Sequence, residues 1–84
     1  MASVILSRTA QQELDALPLA IRTRIAKVFE RLERWPAVSG VKPLRGNLVG
    51  HYRVRTGDYR VQFSVKEGVV HVEKVGHRDK FYDD

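Results

Sequence analysis

Two pairs of turn-forming residues divide the second half of this sequence into three short stretches in which apolar side chains alternate with polar ones. The stretches run from Leu48 to Thr56, from Tyr59 to Lys66 and from Val69 to Val75. Gly57-Asp58 and Glu67-Gly68 separate them, and such dipeptides form the tight turns of β-hairpins. Because strands joined by two-residue turns pair antiparallel with their neighbours, this half is predicted to form a three-stranded meander.

The tight turns also fix which side chains stand opposite each other. A two-residue turn at Gly57-Asp58 sets Val54 opposite Val61 on an apolar face, which we expect to pack on the helices. On the other face, Arg55 stands opposite Arg60. Like charges in directly opposed positions destabilise a sheet, so this pair requires an explanation.

The third stretch carries the following residues to the same edge of the sheet. The turn at Glu67-Gly68 brings its far end alongside Arg60, and residues 76–82, GHRDKFY, come next. Strict alternation would place Lys74 among apolar side chains. A β-bulge is therefore predicted near Glu73.

The first half is predicted to contain one strand followed by two helices. Ser3 to Ser7 is short, apolar and β-branched, as buried strands are. Thr9 to Gln12 has the spacing of a capping box, which predicts a helix from Thr9 to about Leu17. A second helix follows Pro18, which suits a first helical turn, and Pro36 ends it. Its apolar face comprises Ile21, Ile25, Val28, Leu32 and Trp35.

Residues 36–50 are rich in proline and glycine and are interpreted as a connector. The element order is then β-α-α-β-β-β. It predicts an α+β fold in which two N-terminal helices pack on an antiparallel sheet. A chain of 84 residues is expected to form a single domain, spanning 1–84.

The charge of the chain is concentrated around the first hairpin. Lysine and arginine number 15 against 10 aspartates and glutamates, which gives a formal net charge of +5 and a pI near 10.0. Between Lys42 and Arg60, five basic residues accompany one acidic residue, Asp58. Such an excess favours a polyanionic partner, usually nucleic acid, or an acidic protein. The basic side of the second helix is more typical of a solvated surface with local ion pairs, although it can also contribute to binding.

Several kinds of site have no counterpart in the sequence. There are no cysteines, which excludes disulfides, thiolate nucleophiles and thiolate metal sites. The three histidines and the final two aspartates show no metal-ligand spacing, so neither a metal nor a cofactor is predicted. No apolar run approaches the roughly 20 residues of a membrane span, and no signal peptide is recognisable, so we expect a cytoplasmic protein without a membrane partner.

The two turns together predict a cluster of cations at one edge of the sheet. Four guanidinium groups cannot stabilise one another, but they can jointly bind an anion, and guanidinium matches phosphate oxygens in bidentate geometry. The alternative is that individual arginines point apart into water. The cluster comprises Arg53, Arg55, Arg60 and Arg78, with His77 and Tyr82 close by.

A phosphate site of this kind can also cut RNA. RNA carries its own nucleophile, the 2′-hydroxyl, and cations stabilise the charge that develops around phosphorus during attack. Proton transfer needs a group that titrates nearer neutrality than arginine, which stays protonated at any physiological pH. Tyr82 and His77 are the candidates, although a lone histidine is more often a surface or packing residue.

The element order and two series of residues resemble the RelE toxins of the RelE/ParE superfamily. The series are KPLRGNLVGHYRVRTGDYRVQFSV at 42–65 and VGHRDKFY at 75–82, and the resemblance covers nearly the whole chain. It implies a toxin of a type II toxin–antitoxin system that occupies the ribosomal A site and cuts mRNA there by 2′-hydroxyl attack, without a metal. It also implies a cognate antitoxin, through whose complex the toxin would reach operator DNA.

The resemblance assigns roles to individual residues. Arg53 and Arg55 lie where the best-known pattern has two lysines, and Arg60 matches an arginine that contacts the scissile phosphate. Arg78 matches a second catalytic arginine, and Tyr82 matches a tyrosine that stacks on the base and can act in proton transfer. Further RNA contacts are expected from Lys42, Arg45, His77 and Lys80.

Two other functions remain open at this point. A ParE-like toxin has the same fold but inhibits DNA gyrase and lacks the nuclease site, and a basic RNA-binding module would bind without cutting. The basic hairpin together with Arg78 and Tyr82 favours the nuclease.

Overall fold

The computed structural model describes residues 1–81 of the chain. Two helices precede most of the sheet, as the sequence predicts, and two single 3₁₀ turns lie at residues 46–48 and 78–80. The helices and strands are β1 (Ser3–Leu6), α1 (Arg8–Asp15), α2 (Leu19–Leu32), β2 (Val41–Pro43), β3 (His51–Thr56), β4 (Tyr59–Lys66) and β5 (Val69–His77).

The five strands form one mixed sheet in the order β1-β5-β4-β3-β2. The α+β class and the β-α-α-β-β-β order are confirmed, with two differences in detail. β1 runs parallel to β5, because the two helices carry the chain across one face before it re-enters the sheet. The segment interpreted as a connector also contributes β2, which pairs antiparallel with β3. A strand of three residues that follows a glycine and ends in a proline is too short to show a strand pattern.

The predicted pairing of the two hairpins is confirmed. Arg55 stands opposite Arg60 and Val54 opposite Val61. Gly57 occupies the turn with φ of 60°, a conformation that favours glycine. The second turn has positive φ at both Glu67 and Gly68, which matches the twist of the flanking strands.

The predicted bulge lies at Glu73. Gln62 pairs with Lys74 while Phe63 pairs with Val72, so Glu73 is the extra residue of β5. Side chains from outside the strand satisfy the backbone groups that the ladder loses here. The Val75 amide donates to Glu13 Oε1 at 2.9 Å, and Ser7 Oγ donates to the Glu73 carbonyl at 3.3 Å. These bonds fasten α1 to the bulge at both of its ends.

The bounds of both helices differ slightly from the expected ones, at the start of α1 and at the end of α2. Ser7, not Thr9, caps α1, because the Ser7 hydroxyl accepts the Ala10 amide at 3.0 Å. The second helix follows Pro18 as predicted but ends at Leu32, and the chain reaches Pro36 through turns. Trp35 therefore leaves the helix and packs on the sheet, with its ring 4.9 Å from that of Tyr52.

The hydrophobic core fills the space between the helices and one side of the sheet, called here the helix face. Its largest fully buried side chain is Phe63, and Ile25 and Leu32 of α2 are likewise inaccessible to water. Strand alternation directs Val54 and Val61 to the same side. Within residues 1–81, no helix is long and apolar enough to cross a membrane.

Candidate anion-binding site

The side of the sheet opposite the helices carries the cations of the predicted cluster. Tyr52 and Val54 pack in the core, so Arg53 and Arg55 lie on the other side of β3. Arg60 pairs with Arg55 and shares this side. We call it the arginine face, defined by Arg53, Arg55, Arg60 and Lys74, and it is built by the first hairpin and the bulged strand β5.

Two of these arginines are buried despite their charge. Arg53 is 3% exposed and Arg60 is 5% exposed. A buried cation is costly unless hydrogen bonds replace its water. Arg53 Nη2 donates to Gln62 Oε1 at 3.3 Å. Arg60 Nη1 donates to the carbonyls of Gly57 and Tyr59 at 3.0 and 3.2 Å. Their guanidinium groups are therefore held in place before any ligand arrives.

The hydrogen bonds of Arg60 also account for its position opposite Arg55. The backbones of the two residues are paired, but the Arg60 guanidinium turns back onto the carbonyls of its own β-turn. Arg55 is exposed, so water screens its charge. The repulsion expected from the register is thereby reduced, and both cations keep access to the same pocket.

A pocket of about 310 Å³ opens beside these side chains. In the part of the chain that the structure describes, all of its charged lining residues are cations. Donors in a partly enclosed site attract an anion more strongly than they would in open water, because the local dielectric constant is lower. The pocket thus suits a phosphate group. Its lining residues are Gly40, Lys42, Arg53, Arg55 and Arg60.

The residues after β5 fold back over the arginine face. The Arg78 amide donates to the Asp58 carbonyl at 2.7 Å, which fixes the start of this segment beside the β3–β4 turn. The Arg78 side chain is exposed and does not line the pocket. Phe81, at the end of the described chain, is 3% exposed, and its ring centroid lies 5.0 Å from Arg53 Cζ.

His77 is not brought into the pocket. Its partner across the sheet is Tyr59, on the helix face, and the two rings meet edge to face with centroids 5.5 Å apart. The His77 Nδ1 atom accepts the Asp79 amide at 3.2 Å. This geometry corresponds to the packing role that the sequence left open for a lone histidine.

The remaining predicted RNA contacts surround the pocket. Lys42 lines it and also lines a neighbouring cavity of about 460 Å³, to which Arg45 contributes. Lys80 is exposed, and its carbonyl accepts the Lys74 ammonium at 2.6 Å. Tyr82 lies outside the described residues, so its predicted role stays a prediction.

The sequence did not single out Lys74, Gln62 or Phe81 as site residues. Lys74 reaches the arginine face only because the bulge at Glu73 shifts the alternation of β5. Phe81 reaches it because the chain reverses after residue 77. The predicted bulge was the one sequence signal that could have identified Lys74, because an extra residue near Glu73 moves Lys74 to this face.

A separate hydrogen-bonded pair lies farther along the arginine face. Its atoms His51 Nδ1 and Glu73 Oε1 are 2.7 Å apart, and Ser64 Oγ donates to Glu73 Oε2 at 3.3 Å. Glu73 is the bulged residue, so the bulge places this carboxylate beside two neighbouring strands. Across residues 1–81, no group of three histidine or acidic side chains is arranged to hold a metal ion.

A family model described as the ParE toxin of type II toxin–antitoxin systems matches residues 4–82, almost the entire chain. The chain belongs to the RelE/ParE superfamily of type II toxins. The resemblance noted from the two sequence series is thus confirmed. Curated relatives agree with it. Toxin RelE of Mycobacterium tuberculosis is 38% identical over 71 residues, which cover 83% of this chain and 72% of that protein.

A second RelE/ParE toxin matches over a longer stretch. Toxin RelE3 of Methanocaldococcus jannaschii is 28% identical over 83 residues, which cover 95% of this chain and 94% of that protein. The family model spans residues 4–82 and therefore includes both hairpins and the returning segment, residues 78–81. The family assignment therefore covers every element that builds the arginine face.

Solved structures of RelE toxins share this architecture. The RelBE2 toxin–antitoxin complex of Mycobacterium tuberculosis contains a chain with a TM-score of 0.82 and 30% identity, covering 92% of this chain and 98% of that one. The isolated RelE toxin of E. coli gives a TM-score of 0.78 over 92% of this chain and 84% of that one. At 22% identity, the latter shows the shared fold alone.

Proposed function

We propose that this toxin is a ribosome-dependent endoribonuclease that cuts mRNA and thereby inhibits translation. The observation that carries the proposal is the pocket of the arginine face, where Arg53, Arg55 and Arg60 converge on a space suited to a phosphate. Two of the three are buried and already hydrogen-bonded. Charge stabilisation by such preorganised donors is commonly the largest contribution to catalysis.

The reaction uses a nucleophile that the substrate supplies. The 2′-oxygen attacks the adjacent phosphorus, the bond from phosphorus to the 5′-oxygen breaks, and a 2′,3′-cyclic phosphate and a 5′-hydroxyl result. The proton of the 2′-hydroxyl leaves as attack proceeds, and another proton reaches the departing 5′-oxygen. Guanidinium groups at the non-bridging oxygens stabilise the extra negative charge without a metal ion.

The roles of Arg53, Arg55 and Arg60 rest on the family resemblance and the geometry together, whereas those of Arg78 and Tyr82 rest on the resemblance alone. Arg53, Arg55 and Arg60 hold the scissile phosphate. Arg78 approaches it from the returning segment, and Tyr82 stacks on the neighbouring base and takes part in proton transfer. The position of His77 against Tyr59 makes it a packing residue in this scheme.

Basic residues around the pocket would hold the flanking RNA. Lys42 and Arg45 border the second cavity, and Lys80 lies on the returning segment. Cations of this kind contact the phosphate backbone without reading sequence. They also account for the net charge of +5, because a substrate within the ribosome is surrounded by RNA.

A cognate antitoxin is the second proposed partner. Several structural neighbours of this chain are toxins solved in complex with RelB antitoxins. An acidic or amphipathic antitoxin segment would find complementary charge on the arginine face. Operator DNA would be contacted only through this complex. We place both partners in the cytoplasm, where translation occurs.

Inhibition of DNA gyrase is the competing function. The matching family model carries the ParE description, and ParE-like toxins share the fold. That function needs a protein-binding surface and no phosphate pocket. The buried, preorganised guanidinium groups are therefore the feature that favours the nuclease over the gyrase inhibitor.

The test is induction of the toxin in bacteria, followed by mapping of mRNA ends and by an assay of gyrase-linked DNA damage. We expect growth arrest with cuts inside codons of translated mRNA. The double variant Arg60→Ala, Arg78→Ala should abolish both. Arg34→Ala, which removes a cation that lines a small pocket beside α2, serves as the matched control and should leave the cuts unchanged. Arrest with intact mRNA and damaged DNA would contradict the proposal and support the gyrase inhibitor.

A further inference from the structure

The ring of Phe81 lies between two cations of the arginine face. Arg53 Cζ is 5.0 Å from the ring centroid, and Lys74 Nζ is 4.4 Å from it. Both distances fall within the range of cation–π attraction. Arg53, Gln62 and Lys74 occupy one row across β3, β4 and β5, so the ring covers a continuous strip of the sheet.

The backbone around the ring is arranged to bring it down onto the sheet. Gly76 pairs with Arg60, and a Cβ atom there would stand 3.4 Å from Lys80 Cδ and 3.9 Å from Phe81 Cε1. The returning segment is thus already in close contact with β5. The Lys74 ammonium donates to the Lys80 carbonyl at 2.6 Å and fastens the segment from its other side.

The bulge at Glu73 contributes to the same arrangement. Without the extra residue, Lys74 would follow Val72 on the helix face, where a cation would be buried among apolar side chains. With it, Lys74 stands opposite Gln62 and beneath the ring. An aliphatic side chain at position 81 would exclude water equally well, but it has no negative face to offer two converging cations.

We propose that Phe81 is a positioning residue of the anion site, whose ring face fixes the guanidinium of Arg53 in the orientation in which it lines the pocket. Phe81 does not line the pocket itself; it acts through Arg53, which touches both the ring and the pocket. The effect on catalysis rests on the proposed nuclease function. The ordering of the Arg53 side chain is independent of that function and can be measured separately.

The decisive experiment replaces Phe81 with mono-, tri- and pentafluorophenylalanine, which keep the shape of the ring while withdrawing charge from its face. We expect the single-turnover rate of mRNA cleavage on ribosomes to fall stepwise along the series. For the trifluoro ring the loss should be about fivefold, the size expected for one cation–π contact. The concentration of toxin needed for half-maximal rate should change by less than about twofold, because Lys42 and Arg45 still contact the RNA.

The same series at Phe29, on α2, provides the control. Phe29 packs against the core on the helix side, so fluorination there should leave the cleavage rate unchanged. Phe81→Leu adds a variant that removes the ring altogether, and its melting temperature shows whether the fold persists. A cleavage rate that stays constant along the Phe81 series would overturn the proposal, since the ring would then only fill space.

A measurement on the unbound protein separates this proposal from the nuclease proposal. NMR relaxation of the Arg53 Nε–Hε group should show an ordered side chain in the native protein and growing disorder along the fluorinated series. If the native toxin cuts no mRNA, the nuclease function fails while this readout still decides the role of Phe81. Equal order of Arg53 throughout the series would contradict the positioning role, whatever the activity.

Discussion

The helix face of the sheet and the two buried arginines on its opposite face are both closed to water, but by different means. On the helix face, Phe63, Val61 and Val54 are buried against apolar helix side chains. On the arginine face, Arg53 and Arg60 are just as inaccessible, and hydrogen bonds and an aromatic ring take the place of apolar packing. Alternation along β3 and β4 produces both faces from one hairpin.

The two faces of the sheet have different tasks. Apolar burial gives stability in proportion to the area removed from water and has no directional requirement. Buried guanidinium groups give less stability for the same burial, because their desolvation offsets the attraction of their partners. Their advantage is that they provide hydrogen-bond donors that are already positioned around the pocket before a ligand binds.

Phe63→Ala should lower the free energy of unfolding by about 3–5 kcal/mol, because it leaves a cavity in the centre of the helix face. Phe63 is fully buried and packs edge to face against Trp35 at 5.4 Å. Urea denaturation followed by fluorescence measures the loss. Val49→Ala, at an exposed position, should change the stability by less than about 0.5 kcal/mol. Similar losses for both variants would show that the core is not centred on this ring.

Arg60→Ala should reduce the rate of mRNA cleavage by about 10²–10³-fold, the usual effect of removing one donor to a developing charge. Its stability should fall by about 1–3 kcal/mol, because hydrogen bonds from a charged donor to the Gly57 and Tyr59 carbonyls are lost. Arg60→Lys keeps the charge and should recover only part of the rate. The account of the arginine face would be wrong if the stability collapsed while the remaining folded protein kept its rate.

Arg45→Ala should weaken binding to programmed ribosomes evenly across mRNA sequences, because the side chain is expected to contact phosphate and not bases. The slope of log affinity against log salt should decrease by about 0.7–0.9, as one phosphate contact is lost. Binding assays at four salt concentrations measure the slope. A change in the preferred cleavage codon, with an unaltered slope, would assign Arg45 to sequence readout.

Glu73→Gln should lower the free energy of unfolding by less than about 1 kcal/mol. The side chains of His51 and Glu73 are each about one-third exposed, and contacts between such partly solvated polar groups contribute little. The bulge should persist, because Ser7 and Glu13 hold its backbone. The rate of hydrogen exchange at the Val75 amide shows whether the bulge persists. Faster exchange there would mean that the carboxylate, not its neighbours, maintains the bulge.

The sequence predicted the features that depend on residues close together in the chain. Turn residues set the hairpin register, and the mismatch of Lys74 with strict alternation located the bulge. The parallel pairing of β1 with β5 was not predicted, because it depends on where the helices carry the chain and not on the strand itself. β2 was missed because three residues carry no period.

At the site, the sequence predicted that the arginines share one face of the sheet, but it did not predict that two of them are buried. The turn of Arg60 onto the Gly57 carbonyl and the cover that Phe81 gives Arg53 are tertiary contacts without a local signature. His77 was expected near the pocket because residues 76–82 follow the third strand to the same edge of the sheet. The observed pairing of His77 with Tyr59 turns it to the helix face.

The most direct test of the division between the two faces is an NMR titration with a short RNA whose attacking 2′-hydroxyl is replaced by hydrogen, so that it binds without being cut. We expect the guanidinium signals of Arg53, Arg55 and Arg60 to shift together and saturate, while that of Arg34, which lines a separate small pocket beside α2, stays unchanged. A saturable shift of Arg34, with an unmoved arginine face, would contradict this division.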